Sequence, residues 1–143
     1  MRPLYESSGD LKNEQDVARE LGLRWDCQFI KMPLRYHVDF AILHKRELAA
    51  WSELKVRNYS MPEIHKMGGY MLSLGKWMEA ERLSKISKLP FVLVVKTTDG
   101  LWHYTTRDFE HDGISIKGRT DRNDWQDVEP CVMFQTSRFK QVI

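Results

Sequence analysis

A run of five consecutive apolar residues, Phe91 to Val95, constrains the fold more than any other feature of this chain. Pro90 precedes the run, and Thr98-Asp99-Gly100 follows it as a turn. A short strand without polar alternation is typical of the buried interior of a sheet. The turn then leads into a second predicted strand, Leu101 to Thr105.

The composition is that of a globular protein. The chain has 143 residues, of which 42% are hydrophobic and 29% charged, so it predicts a single domain spanning residues 1–143. No stretch of about 18 apolar residues is present to span a membrane, and the first residues lack the apolar segment of a signal peptide. The net charge is only +2, so nucleic-acid binding would require a local basic patch. The two cysteines match no metal-ligand spacing and predict a reduced, cytoplasmic compartment.

Two segments have helical spacing. The first runs from Leu11 to Leu21, with Asp10 as its cap and Gly22 as its end. Glu14 lies on the apolar stripe of this helix, where a buried acid needs a partner. The second is predicted from Met61 to about Ser87, with an apolar stripe that we expect in the core: Ile64, Met67, Met71, Leu74, Met78 and Leu83.

Between the two helices, alternation predicts an antiparallel hairpin. Its strands run from Arg35 to Leu43 and from Leu48 to Val56. With Arg46 at the centre of the turn, Asp39 lies across from Glu53, and His37 lies across from Lys55. Directly opposed side chains in such a pair have Cβ atoms about 4.5–5.5 Å apart.

This hairpin carries the chemistry. The carboxylates of Asp39 and Glu53 repel each other unless a cation neutralises them, and a hard divalent cation does so best. Mg²⁺ takes oxygen ligands, and the backbone carbonyl of Leu54 is a candidate third ligand. Lys55 is placed to orient or deprotonate a metal-bound water. A metal site would also give the buried acid of Glu14 a partner.

Asp39, Glu53 and Lys55, in strand–turn–strand order after a helix bearing Glu14, resemble the PD-(D/E)XK nuclease superfamily. The segments NEQDVARELGL, YHVDFAI, AAWSELKVR and FVLVVKTTDGLWHY are similar to successive elements of that core. The family often places proline before its aspartate, where this chain has Val38. The resemblance implies an α/β fold with a restriction-endonuclease-like core, in which helices flank a central mixed β-sheet. It covers residues 10–105 and leaves 106–143 as a C-terminal extension, with short strands predicted at Ile114–Ile116 and Cys131–Phe134.

The resemblance also implies an activity: Mg²⁺-dependent hydrolysis of DNA phosphodiester bonds, with Mn²⁺ as a substitute. Asp39, Glu53, Leu54 and Glu14 are then the expected metal ligands, and Lys55 completes the catalytic set. For contacts with the DNA backbone, the candidates are Lys66, Lys76, Arg57 and Tyr59.

A small free-standing enzyme of this kind suits the recombination, repair or replication of a phage or mobile element, acting in the host cytoplasm. Three alternatives stay open. The charged residues could form a cross-strand salt-bridge cluster on a non-catalytic module that binds nucleic acid or protein. The chain could instead be a structural protein. A homodimer is also open, because two strands need two cuts, although no coiled-coil pattern is present.

Overall fold

A computed structural model describes residues 8–33, 38–118 and 128–142. The helices are α1 (Ser8–Trp25), α2 (Met61–Lys66) and α3 (Leu74–Ser87), with a 3₁₀ turn at Thr136–Arg138. The strands are β1 (Gln28–Lys31), β2 (Phe40–His44), β3 (Glu47–Val56), β4 (Tyr70–Ser73), β5 (Phe91–Thr97), β6 (Gly100–Thr106), β7 (Ile114–Gly118), β8 (Val128–Phe134) and β9 (Lys140–Gln141).

Six strands form the main sheet in the order β1-β2-β3-β5-β6-β9. The pairing of β3 with β5 is parallel, and the neighbouring pairs are antiparallel, so the sheet is mixed. The run Phe91 to Val95 lies in β5, between β3 and β6, and each of its five residues is buried. The prediction of a buried central strand is therefore confirmed.

Each face of this sheet has its own core. Helix α1 covers one face, where Val17 and Leu21 share a cluster with Leu54 and Val94. Helix α3 and a second sheet, ordered β4-β8-β7, cover the other face around Trp77. The architecture is α/β with a central mixed sheet flanked by helices, which confirms the predicted fold class.

Gly22 does not end the first helix, so that prediction was wrong. Helix α1 continues to Trp25, and Asp26 then takes a left-handed conformation with φ 52°. The need for glycine is steric, because a Cβ at Gly22 would lie 2.8 Å from the carbonyl oxygen of Cys27. The helix also begins before Asp10, at Ser8, so Asp10 lies within it and is not its cap.

The second predicted helix, Met61 to Ser87, is also wrong as a single element. It is split into α2, β4 and α3 by Gly68 and Gly69, whose φ values are 99° and 113°. A Cβ at Gly69 would lie 2.3 Å from the carbonyl oxygen of Phe134, so only glycine fits there. Strand β4 pairs antiparallel with β8, in the register Tyr70↔Phe134.

Three methionines of the predicted apolar stripe do not lie in the core. Met67, Met71 and Met78 are 49%, 39% and 60% exposed. The break at the two glycines explains this for Met67 and Met71, because the helical spacing that placed them on one face does not exist there. No helix in the described part of the chain is long and apolar enough to cross a membrane.

Candidate active site

The two acids of the predicted hairpin do face each other across β2 and β3. Phe40 pairs with Ser52, and the same register one residue further places Asp39 across from Glu53. The backbone N–H of Leu54 donates to Oδ2 of Asp39 at 3.4 Å, which ties Asp39 to β3. The predicted opposition of His37 and Lys55 lies outside the described residues.

This register depends on a β-bulge. Lys45 and Arg46 form a two-residue turn with φ values of 51° and 66°, as type I′ hairpins require. Continued without a break, the pairing Leu43↔Leu48 would bring Asp39 opposite Ser52. The register shifts by one residue between Ile42 and Leu43, and this shift brings Glu53 into place.

Glu53 is the most buried charged group of the site, at 1% exposure. Its Oε1 atom accepts a hydrogen bond from Nζ of Lys76 at 2.8 Å and lies 3.4 Å from Nζ of Lys55. Burial opposes ionisation, but Lys76 and Lys55 outweigh it and hold the pKa of Glu53 below its ordinary value. The second carboxylate oxygen, Oε2, is buried and has no hydrogen-bond partner among the residues that the structure describes.

The other acids show the opposite behaviour. Burial and the neighbouring charge of Glu53 raise the pKa of Asp39. Burial and the charge of Asp39 raise the pKa of Glu14, which is 5% exposed. The nearest cation to both is Lys31, whose Nζ lies 3.2 Å from Oε2 of Glu14 and 3.9 Å from Oδ1 of Asp39.

Lys55 extends from β3 beside Glu53 and is three-quarters buried. Burial alone would lower the pKa of this lysine, but Glu53 and Asp39 raise it well above its ordinary value. Lys55 is therefore a fixed cation in the protein without a metal, and this favours orienting a water over deprotonating it.

Two residues of this neighbourhood, Lys31 and Tyr70, have no signal of a functional role in the sequence. Lys31 lies in β1, a strand of four residues that is too short for a periodic signal. Tyr70 lies in β4, within the segment predicted as helix. Its ring is 3% exposed, and its hydroxyl has no hydrogen-bond partner in the described part of the chain.

The remaining predicted residues lie at different distances from the acids. Lys76 contacts Glu53 from α3, whereas Lys66 is exposed in the last turn of α2. Arg57 follows β3, and its guanidinium lies 5.5 Å from the centre of the Tyr70 ring. Tyr59 is 44% exposed. The backbone carbonyl of Leu54 as a metal ligand stays a prediction.

The carboxylates of Asp39 and Glu53 are oxygen donors of the kind that bind a divalent cation. Among the residues that the structure describes, no three His, Cys, Asp or Glu side chains form a ligand cluster. The pair Asp39 and Glu53 nevertheless fits Mg²⁺, which commonly uses one or two carboxylates and fills its octahedron with water and substrate oxygens. The unpartnered Oε2 of Glu53 is an oxygen that such a cation would satisfy. Glu14 is paired with Lys31, and its role as a ligand stays a prediction.

Comparison with known proteins identifies the family. The family model described as "Phage putative PDDEXK endonuclease" matches residues 1–142. A search of the curated proteins and a search of the solved structures each returned no match. Because the match covers nearly the whole chain, the protein belongs to this phage PDDEXK endonuclease family, and the suspected PD-(D/E)XK relationship is confirmed.

Proposed function

We propose that the protein is a Mg²⁺-dependent nuclease that hydrolyses phosphodiester bonds of DNA. The observation that carries this proposal is the buried Oε2 atom of Glu53, which has no hydrogen-bond partner in the described part of the chain although the charge of Asp39 acts on the same carboxyl group. A buried carboxylate oxygen without a donor is costly, and a hard cation between the two acids would remove that cost. Mn²⁺ is expected to substitute.

Asp39 and Glu53 would hold the metal, with the Leu54 carbonyl and Glu14 as further oxygen donors. When bound, Mg²⁺ lowers the pKa of its water and polarises a phosphate oxygen. Lys55, fixed as a cation between the same acids, would orient the attacking water and neutralise negative charge that develops on the phosphate.

Lys76 is the helix lysine that we propose for phosphate contact. Its Nζ already reaches the site, and its side chain is 32% exposed, so it can turn from Glu53 to a phosphate oxygen. Lys66 and Arg57, with Tyr59, would contact the DNA backbone further away. We place this activity in the recombination, repair or replication of a phage or mobile element; of this, the family name supports only the link to phages. A homodimer that cuts both strands also remains a prediction.

The test is cleavage of linear, nicked and branched DNA with Mg²⁺ or Mn²⁺. Glu53→Gln should lower the rate about a hundredfold to a thousandfold, since one preorganised group that stabilises the transition state is typically worth that much. Glu47→Gln is the matched control, because Glu47 lies exposed at the opposite end of β3. Wild-type protein that cuts none of these substrates with either metal contradicts the proposal.

A second candidate function is a non-catalytic binding module. The observation in its favour is that Lys55 and Lys76 already neutralise Glu53 through Oε1, as in a structural salt-bridge cluster. Calorimetry separates the two functions. A nuclease site binds Mn²⁺ in wild-type protein and loses most of that binding in Glu53→Gln, whereas a salt-bridge cluster shows no difference between the two.

A further inference from the structure

A cavity of about 260 Å³ opens beside strand β4. Residues that follow β3 form part of its wall, together with α2, strand β4 and strand β8. Six of the residues that line it matter for what it can bind: Arg57, Tyr59, Met67, Tyr70, Met71 and Met133.

Tyr70 joins this cavity to the acid site. Its side chain lines the cavity, while its hydroxyl lies close enough to Glu53, Lys55 and Asp39 to be affected by their charges. Arg57 extends the link, since it follows Lys55 by two residues and lies over the Tyr70 ring. The backbone is still extended at Arg57, whose N–H donates to the carbonyl of Lys96, so Arg57 on the cavity wall lies about 7 Å along the strand from Lys55. A DNA strand whose phosphate meets Lys55 therefore has this wall within the reach of its neighbouring nucleotide.

The lining matches a flat, polarisable ligand. Aromatic rings, guanidinium groups and thioethers all contact nucleobase faces favourably. Tyr59, Met67 and Met71 are between 39% and 49% exposed, so a ligand in the cavity would cover apolar surface that is now in water.

We propose that this cavity receives one unstacked nucleobase next to the phosphate that is cut. This inference rests on the proposed nuclease function and narrows its substrate class. A base inside a duplex is stacked on both sides and cannot enter unless it is extruded, which costs a few kcal/mol. The substrate is therefore DNA with unpaired nucleotides at the cleavage position, such as a single strand, a flap or a branch point.

The experiment compares two oligonucleotides of equal length: a normal single strand, and an abasic strand that keeps the phosphates. Binding is measured by fluorescence anisotropy in EDTA, so that neither strand is cut. Wild-type protein should bind the base-bearing strand about tenfold more tightly, which corresponds to about 1.4 kcal/mol and is typical of one stacked base.

Substitutions in the cavity test whether the difference in binding between the two strands arises there. Tyr59→Ala combined with Met71→Ala should reduce the difference to about twofold or less, whereas Tyr59→Trp should retain it because the stacking surface is kept. Met78→Ala is the matched control, because Met78 is an exposed methionine on α3 that does not line the cavity. Equal binding of both strands by wild-type protein, or an unchanged difference in the double variant, would overturn the inference.

Cleavage with Mg²⁺ distinguishes this inference from the function on which it rests. Wild-type protein should cut a single strand at least about tenfold faster than a blunt duplex, and the double variant should lose that preference. Cleavage without discrimination against the abasic strand leaves the nuclease function standing and removes the base site. Tighter binding of the base-bearing strand without any cleavage keeps the base site and removes the nuclease function.

Discussion

The acid site has two halves, Glu53 on one side and Asp39 with Glu14 on the other, and the protein shifts their pKa values in opposite directions. Glu53 is almost fully buried, yet Lys55 and Lys76 keep its pKa below the ordinary value. Lys31 pairs with Glu14 and lies 3.9 Å from Asp39, but burial outweighs Lys31 and Lys55 and raises the pKa of both acids. In the protein without a metal, one half is therefore a stabilised anion, and the other holds acids whose ionisation is opposed. This difference indicates that a divalent cation would relieve the Asp39 side most.

The largest effect expected from this comparison is on the rate of DNA cleavage, which should depend far more on Lys55 than on Lys31. Lys55→Met should lower the rate of DNA cleavage about a hundredfold, equivalent to about 2.7 kcal/mol, because the cation beside the reacting phosphate is lost. Lys31→Met should lower it less than about fivefold, because Lys31 lies closer to Glu14, at 3.2 Å, than to Asp39, at 3.9 Å. Rates are compared by single-turnover assays at saturating Mg²⁺. Equal losses of cleavage rate in Lys55→Met and Lys31→Met would show that the two halves do not differ in their contribution to catalysis.

The next effect is on the free energy of unfolding without metal, which substitutions of Glu53 and Asp39 should change with different signs. Glu53→Gln should lower the free energy of unfolding by about 2 kcal/mol, since it leaves two lysines without their shared carboxylate. Asp39→Asn should leave it unchanged or raise it by up to about 1 kcal/mol, since it removes a charge that burial disfavours. Urea unfolding in EDTA measures both, with Glu47→Gln as the neutral control. Destabilisation by Asp39→Asn as large as that by Glu53→Gln would contradict the comparison.

Acidification should change the contributions of Asp39 and Glu53 to the stability of the fold in opposite directions. The pKa of Asp39 is higher in the folded than in the unfolded protein, so its ionisation destabilises the fold as pH rises above its ordinary value of 3.8. The stability of wild-type protein relative to Asp39→Asn should therefore increase as pH falls from 7 towards that value. Glu53 has a lowered pKa, so its stabilisation should fade as pH falls below its ordinary value of 4.5. Unfolding curves across this range, without metal, check both signs.

The smallest effect is a thermal shift caused by Mg²⁺. At a concentration tenfold above its dissociation constant, a bound metal stabilises the fold by about 1.4 kcal/mol, or roughly 3–6 °C for a domain of this size. Asp39→Asn should abolish this shift, whereas Lys31→Met should preserve it. The shift is read by calorimetric melting in Mg²⁺ against EDTA. A shift that survives in Asp39→Asn would place the cation elsewhere.

The central part of the site could be predicted because its signals are local. The alternation in β2 and β3, with Arg46 taken as the centre of the turn, placed Asp39 across from Glu53. The agreement depended on a bulge at Ile42 and Leu43, which strand periodicity does not reveal. The buried acid of Glu14 was also found, because helical spacing places it on the apolar face of α1.

The surroundings of the site could not be predicted because they depend on distant partners. Strand β4 has four residues, and its partner β8 follows about sixty residues later, so β4 has no periodic signal of its own that distinguishes strand from helix. The apolar spacing of Met67 and Met71 fits a helix equally well. Two adjacent glycines were the available signal, and the contact of Gly69 with the Phe134 carbonyl shows why they break the helix.

The most direct test is a crystal structure of the protein soaked in Mn²⁺, with anomalous data collected to locate the metal. The account predicts one peak between the carboxylates of Asp39 and Glu53, about 2 Å from an oxygen of each, with Oε2 of Glu53 among its ligands. Absence of a peak there at saturating Mn²⁺, with Lys55 and Lys76 still holding Glu53, would contradict it.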